Sequence, residues 1–404
     1  MADARTLVSF VVRLHKENVR SAARTAANLE FVQASDETDE VARRLAITLE
    51  QRGIRAINPP MAFPFDLENY PERGWVVSHK VVAEAAQLGR MGLHRSVIHP
   101  RFGSFIVLGT VITNAELAPE PSLTVPHQGG ATEGPAGEGP GRPAPLEFNP
   151  CVNCKLCVAA CPVGAIEPDG GFRFSACYDH NYREFMTGFG DFVEHVVESR
   201  NKHDFRDRVS ASETVATWQS LAFRPSYKAA YCVAVCPAGE EVLGPFVEDR
   251  ASHLREVVKP LTQREETVYA VRGSDAAEHV QRRFKHKKLK LVASSLRPSS
   301  PRGLFRALHL IFQRRPARGW RAVYHFDLTG VEPVRATVTI DDGRLEVQAD
   351  QLLGRPDITV RCDGKLWLDI VSQRRSPVWA VITGRLKTTG DRSLLQRFAA
   401  CFPR

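Results

Sequence analysis

The chain has 404 residues, of which 43% are hydrophobic and 25% charged, which are ordinary values for a folded globular protein. This composition excludes collagen-like, mucin-like and wholly disordered proteins, and the length predicts two or three domains. The longest nearly apolar stretch, 105–112, is too short to cross a bilayer as a helix. The N-terminus has Asp3 ahead of an apolar run and no small-residue cleavage site, so we expect a first strand and a cytoplasmic protein.

The net charge of +8 is concentrated in one part of the chain. Residues 301–404 hold 18 Lys and Arg against 10 Asp and Glu, which accounts for the whole excess. Between Glu278 and Asp327 there are thirteen basic residues and no acidic one. Such a block favours an anionic partner, for example a membrane surface to which the protein binds peripherally, nucleic acid or an acidic protein. The alternative is a solvated face or a linker.

Strands and helices alternate in the first predicted domain, residues 1–128. In chain order the sequence predicts a strand over 6–14, a helix over 36–52, a strand over 54–57, a helix from the N-cap Ser78 to Gly89 and a strand over 105–112. This order predicts an α/β domain. Residues 129–145 contain ten Gly or Pro in seventeen and predict a flexible linker or surface loop.

The next segment, 146–250, contains seven of the nine cysteines. A disulfide scaffold is small, secreted and usually has an even number of cysteines, so reduced thiolates that bind a metal are the better interpretation. The first four cysteines have the spacing C-x2-C-x2-C-x3-C-P of bacterial ferredoxins, whereas zinc sites pair cysteines across a longer loop. In ferredoxins the fourth cysteine of the run binds a different cluster. The sequence therefore predicts a 4Fe–4S cluster bound by Cys151, Cys154, Cys157 and Cys236.

A second cluster is predicted on Cys161, Cys177 and Cys232, with one ligand missing because Ala229 stands where a C-x2-C pair would have its first cysteine. Three outcomes are open: a 3Fe–4S cluster, a 4Fe–4S cluster with a non-cysteine ligand, or no second cluster. The nearby candidates for a fourth ligand are Asp179, His180 and Tyr231.

A basic connecting segment is predicted over 251–300 and a further domain over 301–404. This last domain has a basic amphipathic helix at 304–312 followed by four strands and two helical patterns. The chain has no Gly-rich phosphate loop and no dinucleotide fingerprint. We therefore expect electrons to come from a protein donor rather than from a bound nicotinamide.

Three short motifs precede the cysteine run: LGRMG at 88–92, HPRFGS at 99–104 and VITN at 111–114. Together with the cysteines, their order resembles epoxyqueuosine reductases and the related reductive dehalogenases over about residues 5–245. The resemblance implies an α/β domain that binds cobalamin and receives electrons from two 4Fe–4S clusters. The chain starts late relative to that family, and Arg73, next to Glu72, stands where the family has its catalytic aspartate. The catalytic residues are therefore left unassigned.

The C-terminal motifs resemble a different family. They are YHFDLTG at 324–330, DG at 342–343, PDITV at 356–360, WLDI at 367–370 and GRLKTTGD at 384–391. This series resembles sterol carrier protein domains, which implies an α+β fold with a five-stranded sheet and an apolar tunnel for a lipid. The residues that would either line such a tunnel or pack as ordinary core are Leu394, Leu395, Phe398 and Phe402.

These features predict an iron–sulfur redox protein, either an oxidoreductase or its electron-delivering component, that acts on or docks to a hydrophobic ligand. One alternative is a non-enzymatic electron carrier whose C-terminal domain only docks it to a membrane or partner. The other is a cobalamin-dependent reductase whose basic stretch binds tRNA phosphates. Nucleic acid is the less favoured partner, because the basic run 285–290 has only Phe284 beside it for base stacking.

Overall fold

The computed structural model describes residues 1–61, 76–118, 148–228, 230–296, 298, 300–372 and 374–403. Its strands are, in chain order, β1 Thr6–Arg13, β2 Ala56–Ile57, β3 Arg90–Met91, β4 Val97–Ile98, β5 Ile106–Thr113, β6 Thr267–Val271, β7 Lys288–Val292, β8 Arg321–Thr329, β9 Val334–Asp341, β10 Arg344–Ala349, β11 Ile358–Asp363 and β12 Lys387–Gly390. Its helices are α1 Lys16–Arg20, α2 Arg24–Glu50, α3 His79–Ala85, α4 Leu156–Ala160, α5 Phe174–Asn181, α6 Met186–Glu198, α7 Lys202–Arg208, α8 Ala211–Phe223, α9 Tyr231–Ala234, α10 Glu240–Glu248, α11 Arg250–His253, α12 Lys259–Thr262, α13 Asp275–Arg283, α14 Pro301–Ile311, α15 Gly364–Val371, α16 Pro377–Ile382 and α17 Ser393–Cys401. A π-helical turn, Leu254–Val258, joins α11 to α12.

The chain forms two units, and each unit is built from two stretches of sequence. Unit 1 comprises Met1–Ala160 and Tyr231–Thr262, and unit 2 comprises Cys161–Ala230 and Gln263–Arg404. The predicted iron–sulfur segment, 146–250, is thus divided between them. The five segments taken from the sequence stay a prediction of domain organisation.

Unit 1 contains a small sheet in which β5 lies between β1 and β2 and is antiparallel to both. The predicted order of strand, helix and strand is observed, and β1 and β2 run parallel to each other as a crossover through a helix allows. An all-parallel α/β sheet would not have the antiparallel β5 between them. Residue patterns define a strand but not its neighbours, so this pairing could not be predicted from the sequence.

Helix α2 packs against this sheet through small side chains. It spans Arg24–Glu50, whereas the sequence pattern predicts a helix only from Asp36 onward. The buried side of the helix is largely alanine, which contributes little to the hydrophobic periodicity of the sequence. The first turns of the helix were therefore not predicted. The buried alanines recur at helical spacing and are Ala27, Ala34, Ala42 and Ala46.

The short helix α3 begins directly after Ser78, as predicted. Ser78 is the N-cap residue by position, but its side chain makes no capping hydrogen bond. The helix ends at Ala85 rather than near Gly89, where a Cβ atom would overlap the backbone carbonyl of Ile98. Gly89 is therefore required for the close approach of two backbones and does not end the helix.

In unit 2, β6 and β7 are parallel and α13 connects them. The buried core beside them includes Cys161, Val268 and Val280. The basic block of this region is partly neutralised within the unit. Lys287 is buried and its ammonium nitrogen lies 2.8 Å from a carboxylate oxygen of Glu266. Lys290 pairs at 2.6 Å with Glu213, so part of the predicted anion-binding block has internal partners.

The C-terminal part of unit 2 is a five-stranded sheet with the order β10-β9-β8-β11-β12. Strands β9 and β10 form the predicted hairpin around Asp342 and Gly343, both of which have positive φ as a two-residue hairpin turn requires. The apolar face of α14 packs on this sheet, with Phe305 against Phe326 at a ring separation of 5.1 Å. Each such buried ring contributes about 1.5–3 kcal/mol of hydrophobic free energy.

The aromatic side chains suggested for a tunnel belong to this core. Phe398 contacts the rings of Tyr324, Phe326 and Phe402 at 4.5–5.4 Å. Leu394 is also buried in the same core, and Leu395 packs against its edge. These side chains therefore hold α17 against the sheet.

Several predicted features lie outside the described residues, namely Glu72, Arg73, the linker 129–145 and Ala229. Within the described ranges, no helix is both long enough and apolar enough to span a membrane.

Candidate functional site

The first cysteines lie on a tight loop that leads into α4. Asn153 and Lys155, on either side of Cys154, have φ of 48° and 60°, which is the left-handed region. Left-handed residues in a tight turn are typical of the loops whose backbone N–H groups bind anions and iron–sulfur clusters. Burial raises the pKa of Cys154, and the N–H groups of Leu156 and Cys154, which donate to its sulfur, oppose that shift. The amide oxygen of Asn149 accepts from the Cys151 N–H at 2.9 Å and fixes the start of the loop.

The structure brings the four predicted ligands of the first cluster around one pocket in unit 1. Its wall also contains Leu93 and His94. The thiol-bearing residues are unbridged, and their exposure falls from Cys154, which faces solvent, through Cys151 to the buried Cys157 and Cys236. Four soft sulfur donors around one pocket fit an iron–sulfur cluster. Among the described residues, no three Cys, His, Asp or Glu side chains are grouped closely enough to bind a single metal ion.

Burial is the main influence on the pKa of the two buried thiols of this pocket. It raises the pKa of Cys236 to about 11, and the nearby Cys154 and Cys151 raise it further. Burial also raises the pKa of Cys157, with smaller contributions from Cys232 and Cys236. Cys157 and Cys236 are therefore protonated without metal, and cluster binding would have to displace their protons.

A chain of hydrogen bonds ends on the sulfur of Cys236. The Nδ1 atom of His94 accepts from the N–H of Ser96 at 3.1 Å, which places the proton of the neutral imidazole on Nε2. Nε2 lies 2.9 Å from the Ser104 hydroxyl oxygen and donates to it. The Ser104 hydroxyl then donates to the Cys236 sulfur and lowers the pKa of that thiol. Burial lowers the pKa of His94 to about 4, so the ring is neutral near pH 7.

Two glycines allow Ser104 to reach Cys236. Gly103 has φ +64° and Gly239 has φ +100°, and a Cβ on Gly103 would overlap the carbonyl oxygen of Ala238. Backbone bonds join the same two turns, from the N–H of residue 240 to the carbonyl of residue 100 at 2.9 Å and from 241 to 101 at 3.2 Å. The two turns are thus held together by their backbones, which keeps Ser104 close to Cys236.

The predicted ligands of the second cluster lie in different units. Cys161 and Cys177 belong to unit 2, where both pack in the core beside β6. The sulfur of Cys161 accepts from the N–H of Ala165 at 3.2 Å. Cys232 belongs to unit 1 and lies close enough to Cys157 to raise its pKa. The assignment of these three cysteines to one cluster stays a prediction.

The three candidates for the missing ligand have different surroundings. Asp179 and His180 are buried on α5, and within the described residues Oδ2 of Asp179 and Nε2 of His180 have no hydrogen-bond partner. Burial raises the pKa of Asp179 to about 6 and lowers that of His180 to about 3. The ring of Tyr231 is buried in unit 1 and faces the guanidinium of Arg24 at 5.1 Å.

Unit 2 also has a cleft of about 1160 Å³ beside the C-terminal domain. Three of its five acidic side chains are engaged locally: Asp363 caps α15, Asp369 lies near Arg374, and Glu198 pairs with Arg208. Apolar side chains make up much of the remaining wall, and they are Val193, Val197, Leu296, Val331 and Leu368. The size of the cleft is sufficient for a lipid-sized ligand.

Two segments of the chain match known protein families. Residues 147–167 match the 4Fe-4S binding domain, and residues 312–403 match the SCP-2 sterol transfer family. The chain is 29% identical over 101 residues to the epoxyqueuosine reductase of Bacillus anthracis, covering 25% of this chain and 20% of the relative. It is 28% identical over 142 residues to that of Listeria monocytogenes, covering 32% and 31%. The chain thus spans about a fifth to a third of the length of these curated relatives.

Among solved structures, the sterol carrier protein 2 like 2 of Aedes aegypti is 18% identical, with a TM-score of 0.17 over 19% of this chain and 70% of that one. A sec-alkylsulfatase of Pseudomonas sp. is 12% identical, with a TM-score of 0.25 over 54% of this chain and 28% of that one. Scores this low carry no argument about function. From the sequence matches, the chain joins an iron–sulfur segment similar to epoxyqueuosine reductases to a C-terminal domain of the sterol carrier protein type.

Proposed function

We propose that this iron–sulfur redox protein binds a 4Fe–4S cluster through the four cysteines of the unit 1 pocket and transfers electrons to or from a reaction on a hydrophobic ligand. The observation that carries the proposal is the convergence of Cys151, Cys154, Cys157 and Cys236 on one pocket. When bound, the cluster would supply one-electron transfer. The residues of this chain hold the irons, direct a hydrogen bond at one sulfur and leave Cys154 as the solvent-facing ligand.

Anaerobic purification followed by iron, sulfide and cobalt analysis and an optical spectrum tests this proposal. We expect iron and sulfide in equal amounts, with at least about four of each per chain. Cobalt bound as cobalamin would favour the epoxyqueuosine-type reductase. Two reducible clusters without cobalt would favour an electron carrier. A protein without iron after anaerobic reconstitution would contradict the proposal.

We further propose a second, less stable cluster on Cys161, Cys177 and Cys232. Three thiolates leave one iron held by a weaker ligand, so that iron is the most easily lost. We expect the air-oxidised protein to give a 3Fe–4S signal in electron paramagnetic resonance that the Ala229→Cys variant lacks. Two stable 4Fe–4S clusters in the unmodified protein would instead indicate a fourth ligand among the three candidates. A single cluster after anaerobic reconstitution would mean that these cysteines form no site.

For the hydrophobic ligand, we propose the cleft of unit 2. Val197 lines this cleft, whereas Val196, its neighbour on α6, does not. We expect Val197→Glu to weaken binding of a fluorescent long-chain acyl probe about tenfold, because a carboxylate would have to be desolvated against the acyl chain. Val196→Glu is the matched control and should bind the probe as the unmodified protein does. Equal binding by all three proteins would exclude the cleft.

A further inference from the structure

Helix α16 presents an apolar face to solvent. The exposed fractions of Val378, Trp379 and Ile382 are 66%, 67% and 76%, while Ala380 between them is buried in the core of the domain. Single exposed apolar residues are common, but three large ones on one turn of a helix mark an interaction surface. None of these three side chains lines the cleft.

The face is held in place by its own helix ends. The Ser376 side chain accepts from the N–H of Trp379 at 3.4 Å, and Pro377 occupies the first turn, where its missing N–H costs nothing. After the helix, the N–H of Leu386 donates to the carbonyl of Ala380 at 2.9 Å and turns the chain back to the core. Trp379 is therefore exposed on a helix whose two ends are held by hydrogen bonds.

The border of this face is basic. Between Asp369 and Asp391 the chain has no acidic residue. Two arginines before the helix lie near Asp369, which neutralises one of their charges. The basic residues around the helix are all exposed and are Arg374, Arg375, Arg385 and Lys387. Tryptophan and aliphatic side chains beside such a border match the interface of an anionic bilayer, where acyl chains meet charged headgroups.

The same arginines connect the face to the cleft. Arg374 lines the cleft, and α16 begins three residues later. We propose that α16 and its basic border dock the C-terminal domain on an anionic lipid bilayer. Docking there brings the part of the cleft lined by Arg374 close to the lipid headgroups. The proposal stands independently of the iron–sulfur assignment and of any ligand in the cleft.

Co-sedimentation of the full chain with lipid vesicles tests the proposal. We expect binding to vesicles of phosphatidylcholine and phosphatidylserine, weaker binding to phosphatidylcholine alone, and release by salt. Trp379→Ser should weaken binding to the anionic vesicles at least about tenfold, and Ile382→Ser should do so to a lesser degree. The double variant Arg385→Glu, Lys387→Glu should lose the preference for phosphatidylserine.

Trp218→Ser is the matched control, because Trp218 on α8 is also exposed, at 58%, and lies on a different helix. This variant should bind anionic vesicles as the unmodified protein does. Equal binding by Trp379→Ser and the unmodified protein would overturn the proposal, as would an equal loss in Trp218→Ser. A dimer that Trp379→Ser converts to a monomer would show that a second copy covers this face, which also overturns it. Binding of the acyl probe without vesicles reports separately on the cleft.

Discussion

Replacing Cys154 with alanine is expected to remove the first cluster, and with it about four irons per chain. Cys154 is the most exposed of the four proposed ligands, so solvent would reach the three-thiolate cluster directly and the remaining irons would be readily lost. The proposed second cluster differs in this respect, because its Cys161 ligand is buried. Metal ligation contributes to folding free energy, so the variant should also unfold at a lower temperature. Iron and sulfide analysis and thermal unfolding, both under anaerobic conditions, measure the two effects.

Cys362→Ala is the matched control for this variant. Cys362 is a buried thiol in the C-terminal core, and the substitution removes the same atoms without touching the pocket. It should cost about 1 kcal/mol of stability and leave the iron content unchanged. If the Cys154→Ala protein kept the iron content of the unmodified protein, the assignment of the first cluster would be wrong.

Ser104→Ala is expected to leave the iron content unchanged and to make the reduction potential of the cluster more negative. A hydrogen bond to a ligand sulfur stabilises the reduced cluster more than the oxidised one, because the reduced cluster carries more negative charge. We expect a shift of about 60 mV, which for one electron corresponds to about 1.4 kcal/mol and is within the range for a hydrogen bond to a charged group. Potentiometric titration of the optical spectrum measures this shift.

The control for Ser104→Ala is Ser96→Ala. Ser96 contributes its backbone N–H to His94, and alanine keeps that group. The substitution therefore removes a serine hydroxyl near the same chain of hydrogen bonds without interrupting it. A shift of the same size in both variants, or no shift in Ser104→Ala, would show that the Ser104 hydroxyl does not act on the cluster.

The spacing of the cysteines predicted which of them lie around the first pocket, because cluster geometry demands closely spaced thiolates. Their role as ligands stays a prediction. Even Cys236, far along the chain, could be predicted from its own C-P motif. Ser104 and His94 could not be assigned in the same way. They reach Cys236 through the close approach of Gly103 and Gly239, and a contact between two distant turns leaves no periodic pattern in the sequence.

The partners of the basic residues could not be predicted either, because they too are distant in the sequence. The basic block before the C-terminal domain predicted an anionic partner, yet Lys287 and Lys290 pair with Glu266 and Glu213. Counting charges along the chain cannot reveal partners that the fold supplies from elsewhere. The apolar face of α16 was also not predicted. A short run of Val, Trp, Val and Ile in a sequence indicates buried core, and only the structure shows that most of these side chains are exposed.

The division of unit 1 has a consequence for how the protein is synthesised. Unit 1 is interrupted after Ala160 and resumes at Tyr231, and the proposed ligands are divided in the same way, with three before the interruption and Cys236 after it. A ribosome-bound chain that has released only the first three cysteines therefore has an incomplete site. Before the intervening segment has folded, the first three cysteines are separated from Cys236 by more than seventy residues of chain. Loading of the first cluster should thus follow translation of the intervening segment, and a chain truncated before Cys236 would lack one of the four ligands proposed for that cluster.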